Sequence, residues 1–221
     1  MSICTMILGE SGTGKSTSLR NLDPSKTLLI QSVRKPLPFR ANAWPVHSGG
    51  RGDSGNIFVT DDPARIEKLM RQSPHEVVIL DDYQYVLANE FMRRSDEKGF
   101  DKFTEIGRHA WDILRAATDL AETRRVYILS HTASDDLGKT KMKTIGKLLD
   151  EKITPEGLVT IVLRTQVRDG QFLFSTQNNG SDTTKSPMGM FADMFIDNDL
   201  AAIDAAICDY YSIQPTALKA A

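Results

Sequence analysis

Apolar residues in this chain fall into short runs separated by segments with a helical repeat. The runs Ile3–Leu8, Thr27–Ile30, Ile57–Val59, Val77–Leu80, Val126–Leu129, Val159–Leu163 and Phe172–Ser175 predict β-strands. Runs without polar alternation suit strands buried on both faces, and such strands build parallel sheets. Between them, Asp62–Gln72 sets Ile66, Leu69 and Met70 at helical spacing, with Pro63 placed for a first turn. From Phe103 to Thr123, Ile106, Ala110, Ile113, Leu114, Ala117 and Leu120 recur every three or four residues. Asn198–Tyr211 aligns Leu200, Ile203 and Ile207 on one face and predicts a closing helix. Strand–helix alternation predicts an α/β fold, a mainly parallel sheet flanked by helices. Its end differs: Val159–Arg168 and Gln171–Thr176 flank Asp169-Gly170, which predicts a C-terminal antiparallel hairpin. Three stretches carry no regular pattern. They are Gln31–Asn56, with Pro36, Pro38, Pro45 and a Gly-rich run from Ser48, then Thr132–Pro155 and Asn178–Phe191.

Chemistry enters directly after the first strand. Gly9-Glu10-Ser11-Gly12-Thr13-Gly14-Lys15-Ser16 fits G-x-x-x-x-G-K-[ST], between a predicted strand and a segment, Thr17–Asn21, able to open a helix. Glycines let backbone N–H groups turn inward around an anion, and a helix N-terminus adds partial positive charge. Lys15 is expected to reach the β- and γ-phosphates, and Ser16 to ligate Mg²⁺. Gly9 through Thr17 form the expected nucleotide contacts. No N-K-x-D guanine-reading motif is present, which favours ATP over GTP.

A second element of such a site is an acid ending a buried strand. Val77-Val78-Ile79-Leu80 leads into Asp81 and Asp82. Asp81 is the candidate Mg²⁺ ligand beside Ser16. Asp82 is the candidate general base, with Glu10 and Gln31 as competing residues to orient water. The fifth run ends in Leu129-Ser130-His131, at the carboxyl edge where ligands of open α/β sheets bind. His131 or Ser130 is placed to sense the γ-phosphate.

Bulk composition narrows the rest. A length of 221 residues suits one domain spanning 1–221. A net charge of −2 gives no global basic footprint, so nucleic acid would need local patches. Cys4 and Cys208 read as reduced packing residues of a cytoplasmic protein. No run is long enough for a signal peptide or membrane span. Arg51-Gly52-Asp53 matches an adhesion tripeptide, which we read as chance. Two segments could grip phosphates. One carries Lys139, Lys141, Lys143 and Lys147 between Gly138 and Gly146. The other, 93–103, interleaves Arg93, Arg94 and Lys98 with Phe100 and Phe103, as single-stranded nucleic acid requires.

Taken together, Gly9–Ser16, Val77–Asp82, the strand ending at His131 and the loop before a terminal hairpin resemble the RecA-like P-loop ATPase core. The chain is most similar in layout to small phage-encoded ATPases that consist of this core, some of which act in single-strand annealing or recombination. The residues 174–180 and 185–191 look typical of that group. The resemblance implies a Mg²⁺-dependent ATPase acting on single-stranded DNA in a bacterial host, as a homo-oligomer with ATP at the subunit interface and in company with a single-strand-binding protein. It also implies that Lys185 acts in trans on the neighbouring subunit's ATP. The alternative is a nucleotide-gated switch that loads or remodels a protein partner. A small-molecule kinase is disfavoured, because no arginine lies between Arg125 and Arg164 to arm a lid.

Overall fold

A computed structural model describes residues 1–50, 52–135, 137–145, 149 and 152–214. Its centre is an eight-stranded sheet. The strands are β1 (Ile3–Leu8), β2 (Thr27–Gln31), β3 (Ile57–Val59), β4 (Val77–Asp81), β5 (Arg125–Ser130), β8 (Ile161–Arg168), β9 (Gln171–Ser175) and β10 (Phe195–Asp197), in spatial order β10-β9-β8-β1-β5-β4-β2-β3. From β8 to β3 every pairing is parallel, while β9 runs antiparallel to both β8 and β10. The predicted hairpin is thus present, closed by Asp169 and Gly170, both at positive φ. A short ribbon, β6 (Thr132–Ser134) with β7 (Thr140–Met142), stands apart from the sheet.

Period-two alternation sorts the apolar residues onto two faces. Met6, Leu8, Leu28, Ile30, Val78, Leu80, Val126 and Ile128 point to one side. There they meet α1 (Pro63–Gln72), α2 (Tyr83–Arg93) and α3 (Asp101–Thr118) through Ile66, Met70, Val86, Ile106, Ile113 and Leu114. Ile7, Leu29, Ile79, Tyr127, Leu129, Leu163 and Phe174 point to the other, against Leu19, Trp44 and α4 (Leu200–Tyr210). Burying both faces is what allows unbroken apolar strands.

Several elements differ from the sequence reading. The segment after the phosphate loop is a six-residue 3₁₀ helix, Ser16–Asn21, with no α-helix following. Pro24 forces Asp23 out of helical backbone, and the Asp23 carboxylate instead caps the next turn through Ser25 N at 2.9 Å. α3 ends at Thr118, short of Thr123, because the Ser2 hydroxyl donates to Ala117 O at 2.7 Å and accepts from Leu120 N at 3.1 Å. The segment 132–155, read as irregular, contains the β6–β7 ribbon. α2 was not expected; its buried stripe of Tyr83, Val86, Leu87 and Glu90 is broken by a carboxylate. Where helix ends match, caps explain them: Asp62 accepts from Ala64 N and Arg65 N below Pro63, and Asp199 from Ala201 N. Among the described residues no helix is long and apolar enough to cross a membrane.

Candidate functional site

Parallel register brings four strand ends to one edge. Leu8 pairs with Ser130, Asp81 with Leu129, and Gln31 with Asp81. The 9–16 loop, the two aspartates and His131 therefore meet at the carboxyl edge of the sheet, where strand topology leaves a crevice. A cavity of about 370 Å³ opens there. Ser11, Gly12, Gly14, Lys15, Ser16 and Thr17 of the loop line it together with Asp82, His131, Tyr85, Val33, Lys35, Pro38 and Phe172.

The loop is built as a cradle. Gly12 and Gly14 hold positive φ, which L side chains resist. A Cβ on Gly9 would lie 1.9 Å from Thr165 Oγ1, so only glycine fits against β8. Thr165 Oγ1 lies 2.6 Å from Thr13 Oγ1 and 3.3 Å from Leu8 O, tying the loop down. Lys15 folds back across the loop: its Nζ donates to Gly9 O at 2.8 Å and to Glu10 O at 2.9 Å. Burial lowers the Lys15 ammonium below its usual range, Asp82 and Asp81 oppose that shift, and Lys35 reinforces it.

Opposite lie the carboxylates. The Ser16 hydroxyl donates to Asp81 Oδ2 at 2.9 Å, and Lys35 Nζ stands 3.8 Å from the same oxygen. Asp81 is fully buried, and its Oδ1 has no hydrogen-bond partner. Burial pushes its carboxyl above the usual range, Lys35 opposes that, and Asp82 adds to it. A hydroxyl beside a buried carboxylate with a free oxygen is a hard-oxygen donor set that fits Mg²⁺. Asp82 is held by its backbone: Ser32 Oγ accepts from Asp82 N at 2.9 Å and donates to Asp82 O. His131 Nε2 lies 2.8 Å from Asp82 Oδ2, and Tyr85 meets the His131 ring edge-on with centroids 5.9 Å apart. Asp82 Oδ1 is buried without a partner and remains available as an acceptor.

The other candidates disperse. Glu10 is exposed and does not line the cavity. Gln31 is buried with its amide on Lys35 O at 3.2 Å. Lys185 pairs its backbone with Val162 on the flank of β8, away from the cavity lining. Burial lowers its ammonium, and Glu156 opposes that. Arg93 is paired with Asp61 at 2.6 Å, and Arg94 with Glu90, Glu97 and Glu105. Lys98 is exposed. Phe103 packs on Phe91, leaving Phe100 as the exposed ring of that segment. Lys139 and Lys143 are exposed on the ribbon and Lys141 is half-buried there; Lys147 lies outside the described residues.

Sequence reasoning missed Ser32, Lys35, Tyr85 and Phe172. A signal existed for the first two. Polar residues directly after a buried parallel strand stand at the carboxyl edge, and 32–35 follow β2. Compared with known proteins, the chain matches no family model and no curated relative.

Proposed function

We propose that the chain is a Mg²⁺-dependent ATPase of RecA-like layout, whose nucleotide state is passed to a basic ribbon that contacts single-stranded DNA. The observation that carries the ATPase reading is the Ser16–Asp81 hydrogen bond beside a glycine-rich loop that Thr165 ties down. Backbone N–H groups of Gly12 to Thr17 would bind phosphate oxygens, and Lys15 would exchange two loop carbonyls for them. Mg²⁺ held by Ser16 and Asp81 would supply Lewis-acid charge on the phosphates. Asp82, anchored through Ser32 and His131, would take a proton from water.

Coupling follows from chain continuity. His131 separates β5 from β6, and its carbonyl accepts from Lys143 N at 2.8 Å, just past β7. A displacement of the His131 backbone on phosphate binding would be passed to both strands of the ribbon. Lys139 and Lys143 sit there exposed, whereas the 93–103 segment spends its arginines on carboxylates. The ribbon is therefore the better DNA surface. Lys185, off the cavity, can reach ATP only across a subunit boundary, so that role goes with a homo-oligomer. One observation favours the second reading, a switch acting on a protein partner: Leu137 at the ribbon tip is 94% exposed.

The test is ATP turnover with and without single-stranded DNA at low and moderate salt, beside Lys15→Ala. The proposal expects turnover lost in Lys15→Ala and DNA stimulation that fades with salt. Turnover indifferent to DNA, with no DNA retained, removes the DNA reading and leaves the switch. No nucleotide binding by the native chain removes both.

A further inference from the structure

The cavity holds a second lysine that the phosphate-loop pattern does not require. Lys35 lies four residues beyond β2, tethered by Gln31 Nε2 on its carbonyl at 3.2 Å. Pro36 disfavours helical backbone at Lys35. Its ammonium thereby stands over Asp81 Oδ2, near enough to Lys15 to disfavour that charge. The contact is loose in three respects. At 3.8 Å it is longer than a hydrogen bond, the Lys35 side chain is 40% exposed, and the other Asp81 oxygen has no partner. The flexible stem of lysine lets the ammonium swing away, provided another cation replaces it on the buried carboxylate.

Resting on the nucleotide reading above, we propose that Lys35 is a second phosphate-contacting lysine. It neutralises Asp81 in the ligand-free protein and turns onto the terminal phosphate when Mg·ATP fills the cavity. An ion on Asp81 takes over the neutralising role, and two cations on one carboxylate repel each other. The terminal phosphate is then the acceptor within reach of a side chain already lining the cavity wall. Lys35 would thus read the phosphate that ATP has and ADP lacks, from within the same chain.

Calorimetric titration of native, Lys35→Met and Lys35→Arg proteins with Mg·ADP and with Mg·ATPγS tests this. Lys35→Met should bind ATPγS about tenfold or more weakly while its ADP affinity stays within about twofold. Lys35→Arg, which keeps the charge, should retain most of the preference for the triphosphate. Equal loss of both nucleotides, or loss of neither, overturns the proposal and leaves Lys35 as a partner of Asp81 alone. If Lys35→Met does not fold, Lys35→Gln is read by the same ratio. A native protein that binds neither nucleotide refutes the nucleotide reading itself. Native binding with an unchanged ratio in the variants refutes only the role of Lys35.

Discussion

Replacing Gly9 by alanine probes the cradle where it is tightest. The added methyl would lie 1.9 Å from Thr165 Oγ1, 2.7 Å from Thr13 Oγ1 and 3.3 Å from Thr165 Cβ. Restoring ordinary contact requires a displacement of about 1.5 Å, and Thr165 is buried within β8. Overpacking of this kind costs about 1–3 kcal/mol, and loss of the Thr13–Thr165 hydrogen bond about 0.5–1.5 kcal/mol. The sum, about 1.5–4.5 kcal/mol, lowers Tm by about 3–18 °C in a chain of this size. Calorimetric unfolding of Gly9→Ala, Thr165→Ala and the double variant measures it. Thr165→Ala removes the closest oxygen and leaves Thr13 Oγ1, freed of its partner, at 2.7 Å and the residue 165 Cβ at 3.3 Å, so the double variant should be more stable than additivity predicts by about 1 kcal/mol. An unchanged Tm in Gly9→Ala, or strict additivity, would refute the steric reasoning. Because the clash pushes the loop itself, phosphate binding should fall with stability and return in part with it.

Two further outcomes concern regions away from the cavity. Asp204 on α4 accepts from Arg125 Nε and Nη2, each at 3.0 Å, and from Tyr127 OH at 2.6 Å. Asp204→Ala leaves the buried guanidinium with Glu76 at 3.5 Å, so denaturant unfolding should show a loss of about 3–5 kcal/mol. In the 48–55 turn, the Ser48 hydroxyl and the Gly55 and Ser48 amides hold the Asp53 carboxyl below the usual range. A depressed acid stabilises its turn above the unfolded carboxyl pKa, near 3.9, and that stability is lost as pH falls through the folded value. Carboxyl chemical shifts of Asp53 should therefore still report the ionised form at pH 3, whereas titration near 4 would refute the capping role.

The sheet was legible because its physics is local. A run such as Val77–Leu80 has no polar position to offer solvent, so it has to be covered on both sides. The shape of the 9–16 loop was legible for the same reason: its glycine spacing encodes a backbone path directly, and Gly12 and Gly14 hold positive φ. α2 was not legible, because Glu90 occupies its buried stripe. That carboxylate is satisfied by His109 of α3 at 2.9 Å and by Arg94, one turn along at the end of α2, at 3.3 Å. Nor was the fate of Arg94 visible, since its partners Glu97 and Glu105 converge only after the chain turns between α2 and α3. A basic residue counted along the sequence is a charge; whether that charge is left for a ligand depends on tertiary partners.

The same distinction governs the site. Motif residues announce themselves through spacing, but the side chains that finish the cavity arrive from strand ends far apart in sequence. Ser32 fixes the Asp82 backbone, Lys35 balances Asp81, and Tyr85 braces His131. None belongs to a pattern, and each stands where it does because β2, β4 and β5 pair in parallel register. Register places Gln31 beside Asp81, and Gln31 in turn holds the carbonyl of Lys35. A polar residue at the carboxyl end of a buried parallel strand is thereby committed to the crevice before its particular chemistry matters. The same commitment, through Gln31, brings a second lysine into the cavity beside Lys15.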